Sequence, residues 1–450
     1  MAVAKITTGP KGHLVFGHTL HYMSDSLGFL SRAAREHGDV VRLRLGLSTY
    51  YLVNHPDLVE AVLRSHAADV IKDKLTRMVM PILGQGLLTS EGATWRRQRK
   101  LAMPAFQRGA IERYAAVMVE RAAKLRDSWR PGQARDVHED MMALTLEIVA
   151  ETLFGAEIGA DSGDVGRCID VMMDHFLTPW KFVKGREWFP TRANRAFRAA
   201  VARLDAILYG IIARRRAEGP GAPEHGDLLA HLLAAQDDEG AGMSDRQLRD
   251  ECVTLFLAGH ETTALVLTFT FLLLAKHPEA DAALAKELDE VLGGRLPTAA
   301  DVPRLRYAER VVKESMRLYP PAWAIGREAV ADFDLGGHRV RKGTQILISQ
   351  WVLHRDPRWF ADPEAFRPDR WDGDLARTLP KGAYLPFGDG PRVCIGNHFA
   401  MMEAVLLLAT LAGRHRLESS PGEVLDLAPA ITLRPRSGTR MVVLDRANGI

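Results

Sequence analysis

The sequence predicts a mainly α fold with a small β portion (α+β), and three observations carry that expectation. From about Pro56 to Leu292 apolar residues recur at three- and four-residue spacing, the period of helices that bury one stripe. The period shortens at Val40–Leu45 and Thr49–Val53, which alternate as two strands around a Gly46 turn, and again across Val330–Ile348. No internal repeat, low-complexity tract or strong boundary divides the chain, so residues 1–450 read as one domain. That length exceeds the ~100–200 residues usual for a domain, as happens when a core is built around something large and buried.

Each element has its local signal. Gly219-Pro220-Gly221-Ala222-Pro223 breaks the helical region as a loop between helices. A helix over roughly Leu305–Leu318 is stopped by Pro320-Pro321. Turns at Gly336-Gly337 and Lys342-Gly343 punctuate the short strands that follow. His354 to Trp371 is rich in proline and aromatics and reads as irregular. A last long helix is predicted to start near Cys394 and run to about Gly413.

Composition narrows the function classes. A net charge of +3 is too small to argue for nucleic acid. Three cysteines, Cys168, Cys252 and Cys394, cannot make a disulfide framework, which fits a reducing compartment. Residues 1–20 contain neither a signal-peptide run nor a membrane anchor, so a cytoplasmic protein is expected. The apolar stretch from Cys252 to Ala275 is nearly long enough to cross a bilayer. Its centre, however, is Gly259-His260-Glu261-Thr262-Thr263, and a carboxylic acid at mid-span costs a few kcal/mol. It reads instead as a helix buried through a large domain, polar where it meets something chemical.

The strongest chemical signal is Phe387-Gly388-Asp389-Gly390-Pro391-Arg392-Val393-Cys394-Ile395-Gly396. Glycine and proline hold the loop tight, and the cysteine falls where the loop meets the final helix. A helix N-terminus offers partial positive charge and free N–H groups, which is expected to lower the thiol pKa. His398 could suggest a zinc pair, but no further Cys/His cluster completes four ligands. The loop lacks the Lys-Ser/Thr of a phosphate cradle.

This run, continued by Ala400 and Glu403, resembles the haem-binding signature of the cytochrome P-450 family. The resemblance implies the triangular, helix-rich fold of that family enclosing haem b, with Cys394 as thiolate ligand to the iron. Thiolate ligation favours O–O cleavage. It further implies that Arg392 pairs with a haem propionate and that Phe387 and Gly396 lie against the proximal face. Three more segments match in the expected order. Ala258-Gly259-His260-Glu261-Thr262-Thr263 resembles the oxygen-activation motif: a glycine opens a groove beside the iron, Thr262 bonds dioxygen, and Glu261 relays protons. Glu314 and Arg317, at i, i+3, with Arg370 from Phe366-Arg367-Pro368-Asp369-Arg370-Trp371, resemble the family's structural triad. Trp95 and Arg99, at i, i+4, resemble the pair that bonds haem propionates, and Arg327 is a third such partner by resemblance.

By family position the substrate pocket is lined by Met78, Met80, Leu83, Leu255, Ala258, Ala322, Trp323, Ile325, Ile431 and Thr432. These are mainly apolar, so the substrate is expected to be hydrophobic: a terpenoid, fatty acid, steroid-like or macrolide compound. Trp180, Phe182, Trp188 and Phe189 are expected to cap the entrance. Electrons are expected from a separate ferredoxin or flavodoxin with an NAD(P)H-dependent reductase, docking a monomer at a basic patch of Arg96, Arg97, Lys100, Arg414 and Arg416. The leading expectation is a haem-thiolate monooxygenase that hydroxylates or epoxidises its substrate. A peroxygenase, isomerase or dehydratase of the same fold is the alternative, and a haem-binding sensor or carrier a remote one. Glu261 with Thr262 favours the first, because only oxygen activation needs a proton relay.

Overall fold

The computed structural model describes residues 6–155, 162–177, 189–219, 226–373 and 375–446. Its axis is a 32-residue helix, Asp245–Lys276, capped where Ser244 accepts the Gln247 N–H and ended ahead of Pro278. Six helices carry the argument: α1 (Gly92–Ala102), α2 (Arg108–Ser128), α3 (Val137–Phe154), α4 (the Asp245–Lys276 helix), α5 (Arg306–Leu318) and α6 (Asn397–Ala412). In the most apolar window of α4, 83% of residues are buried inside the protein. The bilayer-length run is thus a core helix, as its polar centre implied. α6 is apolar nearly all round from Ala404 to Ala412 and is covered on every side, which is what such a composition requires.

The β portion is larger than the sequence indicated. A six-stranded sheet runs β1-β2-β3-β9-β6-β4, formed by Ile6–Thr8, Val40–Leu45, Ser48–Val53, Gln345–Ile348, Ile325–Ala329 and Val70–Lys72 respectively. β7 (Phe333–Leu335) and β8 (His338–Val340) form a small hairpin at the predicted Gly336-Gly337 turn. β5 (Ala134–Asp136) joins β10 (His415–Ser419) and β13 (Arg440–Asp445), and β11 (Asp426–Pro429) pairs antiparallel with β12 (Leu433–Ser437). β4 and β5 lie inside the stretch read as helical. Three-residue strands are too short to show a period of two, so pairing and not patterning defines them.

One predicted boundary moves in a way that matters. The final helix begins at Asn397, so Cys394 lies in the loop before it. Gly390-Pro391-Arg392 form a 3-10 turn, and the Cys394 N–H reaches back to the Phe387 carbonyl at 2.9 Å, closing the loop on itself. Gly390 has φ +70°, and a Cβ there would stand 2.0 Å from the Leu63 carbonyl oxygen, so no other residue fits.

Candidate active site

A cavity of about 1310 Å³ lies between α4 and the Cys394 loop. It exceeds the ~300–1,000 Å³ of a typical small-molecule pocket, leaving room for a large group and a substrate together. Cys394, Phe387, Arg392, Ile395 and Gly396 line one part, and Leu255, Ala258, Glu261 and Thr262 another. Met78, Leu83, Ala322, Trp323, Ile325, Ile431 and Thr432 also line it. Met80 does not: on its short helix Val79, Ile82 and Leu83 take the inward positions.

Cys394 exposes its side chain to this interior space. Burial pushes the thiol up from its ordinary value, while the Gly396 N–H and the Arg99 charge pull the other way. The net direction is upward, opposite to the expectation from a helix N-terminus. The cysteine sits one turn too early for the helix to act at full strength, and the surrounding protein desolvates it.

Beside the loop, buried and half-buried cations outnumber their neighbouring acids. Lys72, Arg327 and Arg392 line the cavity, with Glu91 and Asp73 as the neighbouring carboxylates. Desolvation, reinforced by mutual repulsion, drives Lys72 well below its ordinary value and Arg327 down to about 10. Arg392 donates to Glu91 and, at 2.8 Å, to the Ser90 carbonyl. The described bond of the Arg327 guanidinium is to its neighbour's carbonyl, Gly326 O, at 2.8 Å. Such a cluster calls for further anions. Two carboxylates on a bound group would supply them, and a sulfur on the same cavity wall would supply an axial ligand, so the residues present fit haem. Lys72 was not found from the sequence, since a lone lysine on a short strand carries no signal of its own.

Trp95 and Arg99 are not on the cavity wall. The face of Trp95 is taken by Arg392, 4.3 Å from its ring centre, and the Arg99 guanidinium lies 5.8 Å from the same ring. The helical i, i+4 spacing holds, and Trp95 carries Arg392, itself on the cavity wall, against its ring. Trp95 therefore acts as a platform for Arg392.

On α4, the Thr262 hydroxyl donates to the Ala258 carbonyl at 2.7 Å, one turn back. Gly259 lines the cavity, as a groove-opening glycine should, and it also matters for packing. A Cβ there would stand 2.9 Å from Val149 Cγ2, so the glycine lets α3 and α4 approach closely. Glu261 lines the cavity and is held by two side chains of the hairpin beside it. Its Oε1 accepts from the Thr432 hydroxyl and from Arg434 Nε at 2.5 Å. Burial pushes this carboxyl up, yet the bonds and charge of Arg434 with the Thr432 hydroxyl outweigh it and leave it below its ordinary value. Arg434 was also missed.

Away from the cavity, Arg317 and Arg370 both bond Glu314, all three buried. Among the described residues no group of three or more His, Cys, Asp or Glu side chains could hold a metal ion. The predicted basic patch is largely neutralised: Arg97 pairs with Asp237, Lys100 with Asp238, Arg414 with Asp127 and Arg416 with Glu418. Asp237, Asp238 and Asp127 come from distant segments that the sequence does not place, whereas Glu418 stands two residues from Arg416 on the same strand. Phe189 is 63% exposed; Trp180, Phe182 and Trp188 lie outside the described residues.

A helix-rich fold with a thiol and a cationic rim on one large apolar cavity defines a class, the haem-thiolate proteins. The chain matches the Cytochrome P450 family over residues 8–439 and belongs to it. It is 41% identical to "Cyclooctatin synthase" of Streptomyces melanosporofaciens, covering 95% of this chain and 93% of that one. Against "Cyclooctat-9-en-7-ol 5-monooxygenase" of the same organism it is 40% identical, covering 93% and 91%. "Pentalenene oxygenase" of Streptomyces avermitilis is 33% identical, with 95% of each covered. The cytochrome P450DA heme domain superimposes with a TM-score of 0.88 at 30% identity over 99% of both chains. The protein is a haem-dependent monooxygenase.

Proposed function

We propose that this protein inserts one oxygen atom of dioxygen into a terpenoid, as a hydroxyl or an epoxide, and that Cys394 is the ligand to the haem iron. One observation carries the reading: Cys394 and the Glu261–Thr262 pair line the same predominantly apolar cavity. The relatives named for cyclooctat-9-en-7-ol and pentalenene favour a terpenoid over a fatty acid, steroid-like or macrolide substrate. Bound haem supplies the iron at which dioxygen is reduced.

The chain's own residues do the rest. Lys72, Arg327 and Arg392 hold the propionates, and Trp95 fixes Arg392 by covering one of its faces. The Cys394 N–H bond to Phe387 keeps the sulfur in place. Met78, Leu83, Leu255, Ala322, Trp323 and Ile325 exclude water and present the substrate by apolar contact. Thr262 holds a proton at its hydroxyl on the cavity wall, and Glu261 replaces it. Electrons come from a separate ferredoxin or flavodoxin with its NAD(P)H-dependent reductase. The ion pairs formed by Arg97, Lys100, Arg414 and Arg416 leave less steering charge for that partner than the composition suggested. We place the protein in the cytoplasm, in keeping with its three cysteines and its buried apolar helix.

The reduced holoprotein with carbon monoxide should show the strongly red-shifted Soret band of a thiolate ligand. Cys394→Ser should lose that band and at least ~100-fold of the oxygenation rate, about 2.7 kcal/mol in barrier. Retention of the band in that variant would rule the ligand out.

A further inference from the structure

The acid of the proton relay is fastened to a part of the substrate cavity. Arg434 Nε donates to Glu261 Oε1 at 2.5 Å and the Thr432 hydroxyl donates to the same oxygen. Arg434 sits on β12, and the residues just before that strand, Ala430, Ile431 and Thr432, line the cavity. The other side of this tip is tied down as well: Trp323 Nε1 donates to the Ala430 carbonyl at 3.0 Å, and the Leu433 N–H to the Pro321 carbonyl at 2.9 Å. A single hairpin therefore touches both the space for substrate and the catalytic acid.

Four groups face the Glu261 carboxylate. Thr432 and Arg434 come from the hairpin, His260 from α4 and His138 from α3, the last with Asp136 beside it. Burial pushes His260 down to about 4 and lowers His138 too, so the fixed cation of the set is Arg434. Glu261 held by Arg434 is a carboxylate and has no proton to give. At rest the Thr262 hydroxyl also points elsewhere, to the Ala258 carbonyl. The relay is built but disengaged.

We propose that Arg434 is a positioning residue for this relay: it clamps Glu261 to the cavity-lining hairpin, so that substrate pressing on Ile431 governs when the acid turns to Thr262. The inference rests on the reading of Glu261 and Thr262 as the relay. Its proton balance is simple. Released Glu261 takes one proton from solvent and gives it to Thr262 Oγ, whose own proton passes into the cavity; the carboxylate then returns to Arg434. One solvent proton moves, and no electron or carbon bond changes in the chain.

The test uses the holoenzyme with its electron-supplying proteins and reads reductant consumed without substrate across the neutral pH range. In Arg434→Gln that consumption should rise several-fold and fall again as pH increases, because a released Glu261 serves only while protonated. Arg434→Lys, which keeps the charge, should restore most of the tight behaviour, and Thr432→Val should give an intermediate rise. A second readout needs no turnover. Infrared spectra of Arg434→Gln at neutral pH should gain a protonated-carboxyl band that disappears when Glu261→Gln is added. Wild-type consumption and no new band in Arg434→Gln would overturn the clamp. Should that variant not fold, wild-type behaviour of Thr432→Val in both readouts overturns it equally. Thr262→Ala separates the two ideas. If it leaves product per electron unchanged, the relay itself is wrong; if it uncouples while Arg434→Gln behaves as wild type, only the clamp is wrong.

Discussion

Glu314 and Glu261 are both buried carboxylates held by arginine, and they are held in opposite ways. Glu314 Oε1 accepts from Arg317 Nη2 at 2.8 Å, Arg370 Nε at 2.8 Å and the Arg367 N–H at 3.0 Å. Its Oε2 accepts from Arg317 Nε and from Trp371 Nε1, both at 2.9 Å. Arg317 spends further donors on the carbonyls of His354, Pro363 and Ala365. Glu261, by contrast, takes both described bonds on Oε1 while lining a cavity. The difference teaches how one pair of residue types serves two ends. A charge with every lone pair occupied can only lose by moving, and so locks the α5 segment to the irregular stretch beyond it. A charge held on one oxygen has an alternative within reach.

The most drastic way to test that contrast is Glu314→Gln, which leaves Arg317 and Arg370 buried beside an uncharged amide. Breaking a buried pair costs ~3–5 kcal/mol, so the holoprotein should lose most of its folded population in a urea titration. The same change at Glu261 should be far milder for folding, ~1–2 kcal/mol, since Arg434 keeps other surroundings. Product formed per electron in Glu261→Gln should nevertheless fall about 10-fold or more, the scale of a lost proton-transfer group. Equal stability losses in the two variants would erase the distinction.

Lys72 offers the converse case, a buried cation with too few acids until haem is bound. Lys72→Met should release haem to an apoprotein acceptor ~10-fold faster, about 1.4 kcal/mol, while Met should stabilise the haem-free chain by relieving the desolvated charge. A pH-dependent effect belongs to Glu403, a buried acid in α6 with no arginine among its described partners. Burial pushes its carboxyl from the ordinary 4.5 to about 8, with the Thr263 hydroxyl opposing. A folded value above the unfolded one means that its stability contribution is complete below about 4.5 and is lost as pH rises through about 8. Glu403→Gln should therefore flatten the fall of the thermal midpoint over that window. Glu251, pushed to about 8 in the same way, should keep its own share of the slope. An unchanged slope in Glu403→Gln would show that its charge state does not shift on folding.

Much of this site was legible because its chemistry is contiguous in the chain. The Phe387–Gly396 loop carries its glycines, arginine and cysteine within ten positions, and the polar centre of α4 stands out against an apolar helix. What was not legible depends on pairs far apart. Arg434 lies 173 residues from the acid it holds, and nothing in a short strand reading Leu433-Arg434-Pro435-Arg436-Ser437 distinguishes it from its neighbour Arg436, which pairs with Asp426 on the surface. Lys72 gains meaning only when β4 brings it beside Arg327 on β6. Gly259 was seen for the cavity it lines, but its second role was not, because sequence does not show how near Val149 comes. The helix start fell three residues beyond Cys394, and the upward shift of the thiol comes from burial, which the sequence does not show.

Ile431 and Arg434 are three residues apart on one hairpin. Selection for a bulkier or smaller substrate at Ile431 would tug on the arginine as well. Lineages that broaden their diet through this hairpin should therefore inherit a tendency to leak reduced oxygen, and repair should accumulate at Thr432 or Trp323 rather than around the cysteine.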